Sequence, residues 1–259
     1  MYTGLYAAVS GSLAQEKRLA ILNNNLANAT TVGFKADKAL FRVAELPLLV
    51  GEVTPLESPV AVVMSVDPLL GRHSPQQQLT ITRTDFSQGP IHETGNPLDV
   101  ALEGRGFFVV QTSEGPAYTR QGTFSINAAG VLVTSEGLPV QGEDGPLDVR
   151  GSHVDINTNG ELRVDGVGRG RLRLVDFPEP YALQKMGDTL FRTATPDLQA
   201  QAPNGLVVHQ RAVEMSNSQA VHLLVETIQA SRAYEAYQKV IQAFDETAGR
   251  AVNDLARTA

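Results

Sequence analysis

The residues most suggestive of chemistry lie in DINTNGE, where Asp155, Asn157, Asn159 and Gly160 match the opening of a calcium-binding EF-hand loop. Such a loop closes on a bidentate Glu at its twelfth position, which here is Gly166. It also needs helical flanks, whereas both flanks alternate apolar and polar residues. The stretch therefore reads as a hairpin, with Asn159-Gly160 expected to form a type I′ turn. GVGRG at 166–170 resembles half a phosphate loop, but no amphipathic helix follows to offer its N-terminus to an anion. The five histidines, His73, His92, His153, His209 and His222, never pair at i,i+3 or i,i+4. No H-E-x-x-H, G-x-S-x-G or Walker A pattern occurs. Asp85, Glu93, Asp99 and Glu103 have no spacing that demands a catalytic pair, and acids on solvated strand faces are common. Asn28-Ala29-Thr30 fits a glycosylation sequon but lacks an accompanying secretory signal. The expectation is a protein with no catalytic, cofactor or metal residues and no small-molecule substrate.

Composition narrows the partners. The 259-residue chain has room for one large domain or two modest ones. A net charge of −7 with no basic block argues against nucleic acid, which needs a clustered positive face. No apolar run reaches the roughly 20 residues of a membrane helix. The opening MYTGLYAAVSGSLAQEKR lacks the charged and apolar regions of a cleaved signal. Cysteine is absent, which excludes disulfides and thiolate sites.

The elements that must position any site change twice along the chain. Residues 4 to 31 read helical, about 80 to 215 read as short strands and turns, and the end reads helical again. Between 43 and 80, Pro47, Pro55, Pro59, Pro68 and Pro75 interrupt any helix and leave an extended connector with room for a strand or two. At the C-terminus, Ser216 or Asn217 can cap a helix. Beyond it Ala220, Thr227, Tyr234, Ile241, Ala248 and Leu255 recur every seven residues, with Leu223, Ala230, Tyr237, Phe244 and Ala251 three positions on. About five heptads of this kind predict coiled-coil packing. Val221, Leu224, Val225 and Ile228 add a second apolar stripe, which calls for a second neighbour. The N-terminal repeat is more dilute: Leu5, Ser12, Leu19 and Leu26 form one line, and Ala8, Gln15, Leu22 and Ala29 the other. Its natural intrachain partner is the C-terminal helix.

One stretch resists this scheme. In ILNNNLANATTVGFK, Asn24, Asn25 and Asn28 crowd an apolar helical repeat although asparagine is a poor helix former. Gly33 is placed to end the helix in a left-handed conformation. Two readings stand: a fraying end whose amides cap carbonyls, or amides that fix the register of helix contacts between subunits.

NNLANATTVGFK resembles the N-terminal signature of bacterial flagellar rod, hook and hook-associated axial proteins, through Asn24, Asn25, Leu26, Ala27, Asn28, Thr31, Gly33, Phe34 and Lys35. Residues 96 to 142 resemble the central β-domain of that family. VEMSNSQAVHLLVETIQASRAYEAYQKVIQAFD resembles its C-terminal helix through Glu214, Ser216, Asn217, Arg232, Ala233, Tyr234 and Glu235. The opening looks most like the proximal-rod FlgF type, with the distal-rod FlgG type close behind. Ser218-Gln219 after Asn217 departs from the usual pattern of the distal type.

The resemblance implies an α+β protein whose N- and C-terminal helices form a coiled coil around a central, mainly antiparallel β-domain. The implied domains are 1–35 with 216–259 as helical core, 36–80 as connector and 81–215 as β-rich outer domain. It implies a structural, non-enzymatic rod subunit in the periplasmic part of the flagellum. Its partners would be copies of itself, other rod proteins and the flagellar type III export apparatus. The implied assembly residues are Leu5, Leu19, Leu22, Asn24, Asn25, Leu26, Asn28, Gly33, Phe34, Leu223, Tyr234, Tyr237, Ile241, Phe244 and Leu255. The alternative within the family is a distal-rod or hook-related subunit; the rivals from other classes are a secreted cell-wall-binding β-protein or hydrolase and a soluble coiled-coil adaptor forming a closed oligomer.

Overall fold

The N-terminal repeat forms α1 (Tyr2–Ala27) and the C-terminal heptads form α2 (Ala220–Thr258). The computed structural model describes residues 2–44, 77–179, 181–187, 189–194 and 198–258. The five prolines of the connector lie outside these residues. Between the helices run β1 (Asp37–Ala44), β2 (Gln77–Thr84), β3 (Ile91–Glu93), β4 (Val100–Glu103), β5 (Phe107–Thr112), β6 (Gly115–Thr119), β7 (Phe124–Ile126), β8 (Leu132–Thr134), β9 (Gln141–Gly142) and β10 (Gly145–Pro146). They continue as β11 (Val154–Ile156), β12 (Glu161–Val164), β13 (Val167–Arg171), β14 (Leu174–Val175), β15 (Leu183–Gly187), β16 (Leu190–Thr193), β17 (Val207–Gln210) and β18 (Ala212–Glu214). Every pairing among them is antiparallel.

The chain divides into two units that interleave in sequence. The helical unit comprises Met1–Ala27, Asp37–Asp85 and Gln219–Ala259; the β-unit comprises Asn28–Ala36 and Phe86–Ser218. The first stretch of the β-unit thus comes from the N-terminal signature.

In the helical unit α1 and α2 pack antiparallel. Leu22, Leu223 and Ala230 are buried together, with Leu19 and Leu26 against them. Further along, α1 offers notches to aromatic rings. A Cβ on Gly4 would lie 2.8 Å from the Phe244 ring, and one on Gly11 would lie 2.4 Å from the Tyr237 ring. Glycine costs about 1 kcal/mol in a helix interior, and close ring approach is what it provides in return. Arg18 and Glu226 add a 3.8 Å ion pair. The same unit holds the ribbon of β1 and β2, paired from Asp37↔Thr84 to Ala44↔Gln77.

In the β-unit β5 lies in a five-stranded sheet of order β14-β5-β6-β16-β15. Its apolar run FFVV is buried on both faces. Phe108 and Val110 enter one core with Val100, Leu102, Leu132 and Leu162, while Phe107 and Val109 enter another with Phe177 and Phe191. A strand covered on both sides reads as a continuous apolar run, without alternation.

The hairpin turns correct one expectation. At Asn157–Gly160 the Asn157 N–H donates to Glu161 O at 3.0 Å and the Gly160 N–H to Asn157 O at 2.9 Å. Gly160 alone has positive φ, at 78°. This is a type I turn closed by a glycine bulge, where a type I′ turn would need positive φ at both central residues. The Asn157 side chain stabilises it, its Oδ1 accepting from the Asn159 and Glu161 N–H groups. Asn127–Gly130 repeats the same pattern, with Asn127 Oδ1 bound to the Ala129 and Val131 N–H groups. The type I′ turn occurs one connection later, at Asp165 (φ 51°) and Gly166 (φ 80°), where Val164 pairs with Val167. GVGRG thus falls in a turn and strand β13.

Candidate functional site

Three ionic side chains far apart in sequence meet inside the β-unit. Lys35, from the end of the N-terminal signature, is 1% exposed; Glu214, ending β18, is 0% exposed; Arg120, just after β6, is 4% exposed. Lys35 Nζ donates to Glu214 Oε1 at 2.6 Å and to Ser87 O at 2.8 Å. Glu214 Oε1 also accepts the Gly89 N–H at 2.9 Å, and Oε2 accepts Arg120 Nη1 at 3.1 Å. Arg120 donates further to Leu102 O (3.3 Å) and Gly104 O (2.6 Å), and its guanidinium lies 5.4 Å from the Phe107 ring centroid. Its Nε finds no hydrogen-bond partner among the described residues. Charges removed from water at this depth require such partners; one carboxylate between two cations, ringed by backbone groups, supplies them.

The residues leading into Lys35 are shaped for the same place. Gly33 has φ 70°, and its N–H donates to Glu214 O at 2.7 Å. A Cβ there would lie 2.3 Å from Gln121 N, so only glycine fits. Phe34 is buried beneath Lys185, whose Nζ lies 4.4 Å from the ring centroid and donates to Lys35 O at 2.7 Å. After Lys35, the Ala36 N–H donates to Asn217 Oδ1 at 2.8 Å; Asn217 Nδ2 reaches Ser87 O and Oγ, each at 3.2 Å.

The helical unit has its own amide contact. Asn25 is 3% exposed; its Nδ2 donates to Asp37 O at 2.7 Å and its Oδ1 accepts the Asp37 N–H at 2.9 Å. The side-chain amide thus imitates a peptide group in a strand ladder. Asp37 Oδ1 in turn accepts the Thr84 hydroxyl at 2.7 Å, and Lys38 pairs with Asp85 at 2.6 Å.

These placements correct several details. The helix ends at Ala27, so Gly33 is left-handed without being its cap. Neither Ser216 nor Asn217 caps α2: the helix begins at Ala220, Ser216 Oγ accepts the Ser218 N–H, and the Asn217 amide is used elsewhere. Of the nominated residues, Leu19, Leu22, Leu26 and Leu223 join the two helices of one chain, and Tyr237 and Phe244 fill the Gly11 and Gly4 notches. Tyr234 and Ile241 are half-buried on α2, and Leu5 is half-buried on α1. Asn24 is exposed, Asn28 accepts the Thr31 hydroxyl at 3.1 Å, and Leu255 falls within the last turns of α2. Sequence reasoning placed Lys35, Glu214 and Asn217 in the family signatures without these contacts, and missed Arg120 and the two notch glycines. Glycine at positions 4 and 11 of a helix, one heptad apart, was a usable signal.

Among the described residues no group of three or more His, Asp or Glu side chains is placed to hold a metal ion, and no helix is long and apolar enough to cross a membrane. The described residues form a helix pair and an antiparallel β-unit, each tied internally by buried polar side chains. Residues 5–35 match the flagella basal body rod protein family, 101–164 the flagellar hook protein FlgE/F/G D1 domain, and 209–255 the flagellar basal body rod FlgEFG protein C-terminal family. The flagellar basal-body rod protein FlgF of Caulobacter vibrioides is 32% identical over 260 residues, covering 99% of each chain. The flagellar basal-body rod protein FlgG of Buchnera aphidicola subsp. Baizongia pistaciae is 32% identical over 95% of this chain and 97% of its own. The flagellar hook-basal body complex protein FlhO of Bacillus subtilis is 30% identical over 99% and 100%. The chain belongs to the flagellar basal-body rod protein family, which is structural and non-enzymatic.

Proposed function

We propose that the chain is a proximal-rod subunit of the FlgF type, polymerising through its terminal helices into the drive shaft that carries torque across the periplasm. The observation that supports this reading is an apolar face left over after α1 and α2 have paired. Val221 is 78% exposed, Leu224 and Val225 are each 49% and Ile228 is 55%; on α1, Tyr6, Val9 and Leu13 are also exposed. A contiguous apolar face on a helix already packed on another side calls for a further partner. Copies joined head to tail through such a face, without closing a ring, build a helical polymer in which the paired helices act as a coiled coil. In this reading α1 and α2 supply the surfaces through which copies join. Other rod proteins stack on either end, and the flagellar type III apparatus exports the chain without a cleaved signal. A chain lacking cysteine has no disulfide to constrain such passage.

The double change Val225→Asp, Ile228→Asp tests this. The expected result is an unchanged melting curve for the purified subunit and loss of both swimming and incorporation into basal bodies. Normal incorporation would overturn the proposal. A distal-rod role is the second reading, favoured by the 32% identity to the FlgG relative. Immunolabelling of purified rods separates the two by position.

A further inference from the structure

The chain passes between the two units at four points, 27/28, 36/37, 85/86 and 218/219. On the β-unit, three of these exits are bound to one another. Asn217 Oδ1 holds the Ala36 N–H and Asn217 Nδ2 holds Ser87 O and Oγ, while Lys35 Nζ joins Ser87 O to Glu214. On the helical unit, Asn25 holds both backbone groups of Asp37, whose carboxylate holds Thr84 next to Asp85. In both places a single side-chain amide cross-links main-chain segments just where they leave a unit. An amide suits this work because it offers a donor and an acceptor in one plane, as a peptide group does.

We infer that Asn25 and Asn217 are positioning residues, each acting as a clasp that fixes the exits of its own unit as one body. Without Asn217 the Ala36 backbone loses its tie to the β-unit, although Lys35 still joins Ser87 to Glu214, and without Asn25 the Asp37 backbone is released from α1. With them, force entering at any clasped exit is shared by the others. The mechanical use of this sharing rests on the rod reading above; the clasp itself does not.

Hydrogen exchange on the purified full-length chain, resolved by residue, tests the inference. In Asn217→Ala, the Ala36 N–H loses its acceptor and is expected to exchange about tenfold faster or more, while amides in Phe107–Thr112 keep their rates. Asn217→Asp keeps the acceptor and removes the donor, so Ala36 is expected to stay protected. In Asn25→Ala, acceleration is expected at Asp37. Unchanged exchange at Ala36 in Asn217→Ala overturns the inference. So does uniform acceleration through Phe107–Thr112, because Asn217 would then be an ordinary stabilising residue, and so does equal loss of Ala36 protection in the Asp and Ala variants. Failure of the rod reading would show separately, as absence of the chain from purified basal bodies.

Discussion

Glu214 stands between two cations, so deleting any member of the triad leaves the others buried without full compensation. Lys35→Met removes one of the two cations held by a carboxylate at 0% exposure, and Glu214→Gln abandons both cations. Truncating one partner of a buried pair costs on the order of 3–5 kcal/mol. Each variant is therefore expected to lower the β-unit melting transition in calorimetry of the full chain, with the helical transition less affected. Arg120→Met is expected to resemble them, since its guanidinium also holds Leu102 O and Gly104 O. None of this was legible in the sequence. Lys35 and Glu214 are 179 positions apart and Arg120 and Glu214 are 94 apart, and no periodicity links them. Asn25 was visible as an anomaly, an amide in an apolar helical repeat, but its partner Asp37 lies beyond the helix end.

Among the elements, α2 was the most legible because a heptad repeat encodes burial directly: Leu223 and Ala230 are buried while Val221 is exposed. The strands were legible as a group, through turn residues at close spacing. Turn types were not, because Asn-Gly suits either a type I′ turn or the last two positions of a glycine-bulge turn. Asn157 decides between them, its side-chain Oδ1 accepting the backbone N–H groups of Asn159 and Glu161. The same turn carries a pH signature. A hydrogen bond from Arg171, supported by Asn157, holds the Glu161 carboxyl below its ordinary value. A depressed carboxylate contributes stability fully above its unfolded pKa, near 4.5, and loses that contribution as pH falls through the folded value. Glu161→Gln is expected to flatten the acid limb of the stability curve below that pH, while a melt at pH 7 shows a small loss. An unchanged acid limb would mean that the Arg171 contact is fully screened at this exposed site.

For the whole molecule, the interleaving of the two units decides how the chain can be shortened. Residues 28–36 belong to the β-unit, where they supply Gly33, Phe34 and Lys35. Removing 1–27 is expected to leave the β-unit transition near its full-length temperature. Removing 1–36 is expected to lower it markedly, although only nine further residues are lost. Calorimetry of the two truncations checks this, and equal transitions would show that the signature strap is dispensable. The domain limits suggested by sequence, 1–35 and 81–215, part from these units for a plain reason. Composition follows helix and strand content along the chain, whereas the units follow contacts across it.

The β1–β2 ribbon carries one more consequence. Its arms run in register until Ala44 stands opposite Gln77, so the segment between them begins and ends at neighbouring positions. Closing a longer loop across such adjacent ends adds entropy only logarithmically with length. An insertion at the tip of this ribbon is therefore expected to be tolerated over a wide range of lengths without disturbing the pairing beneath it.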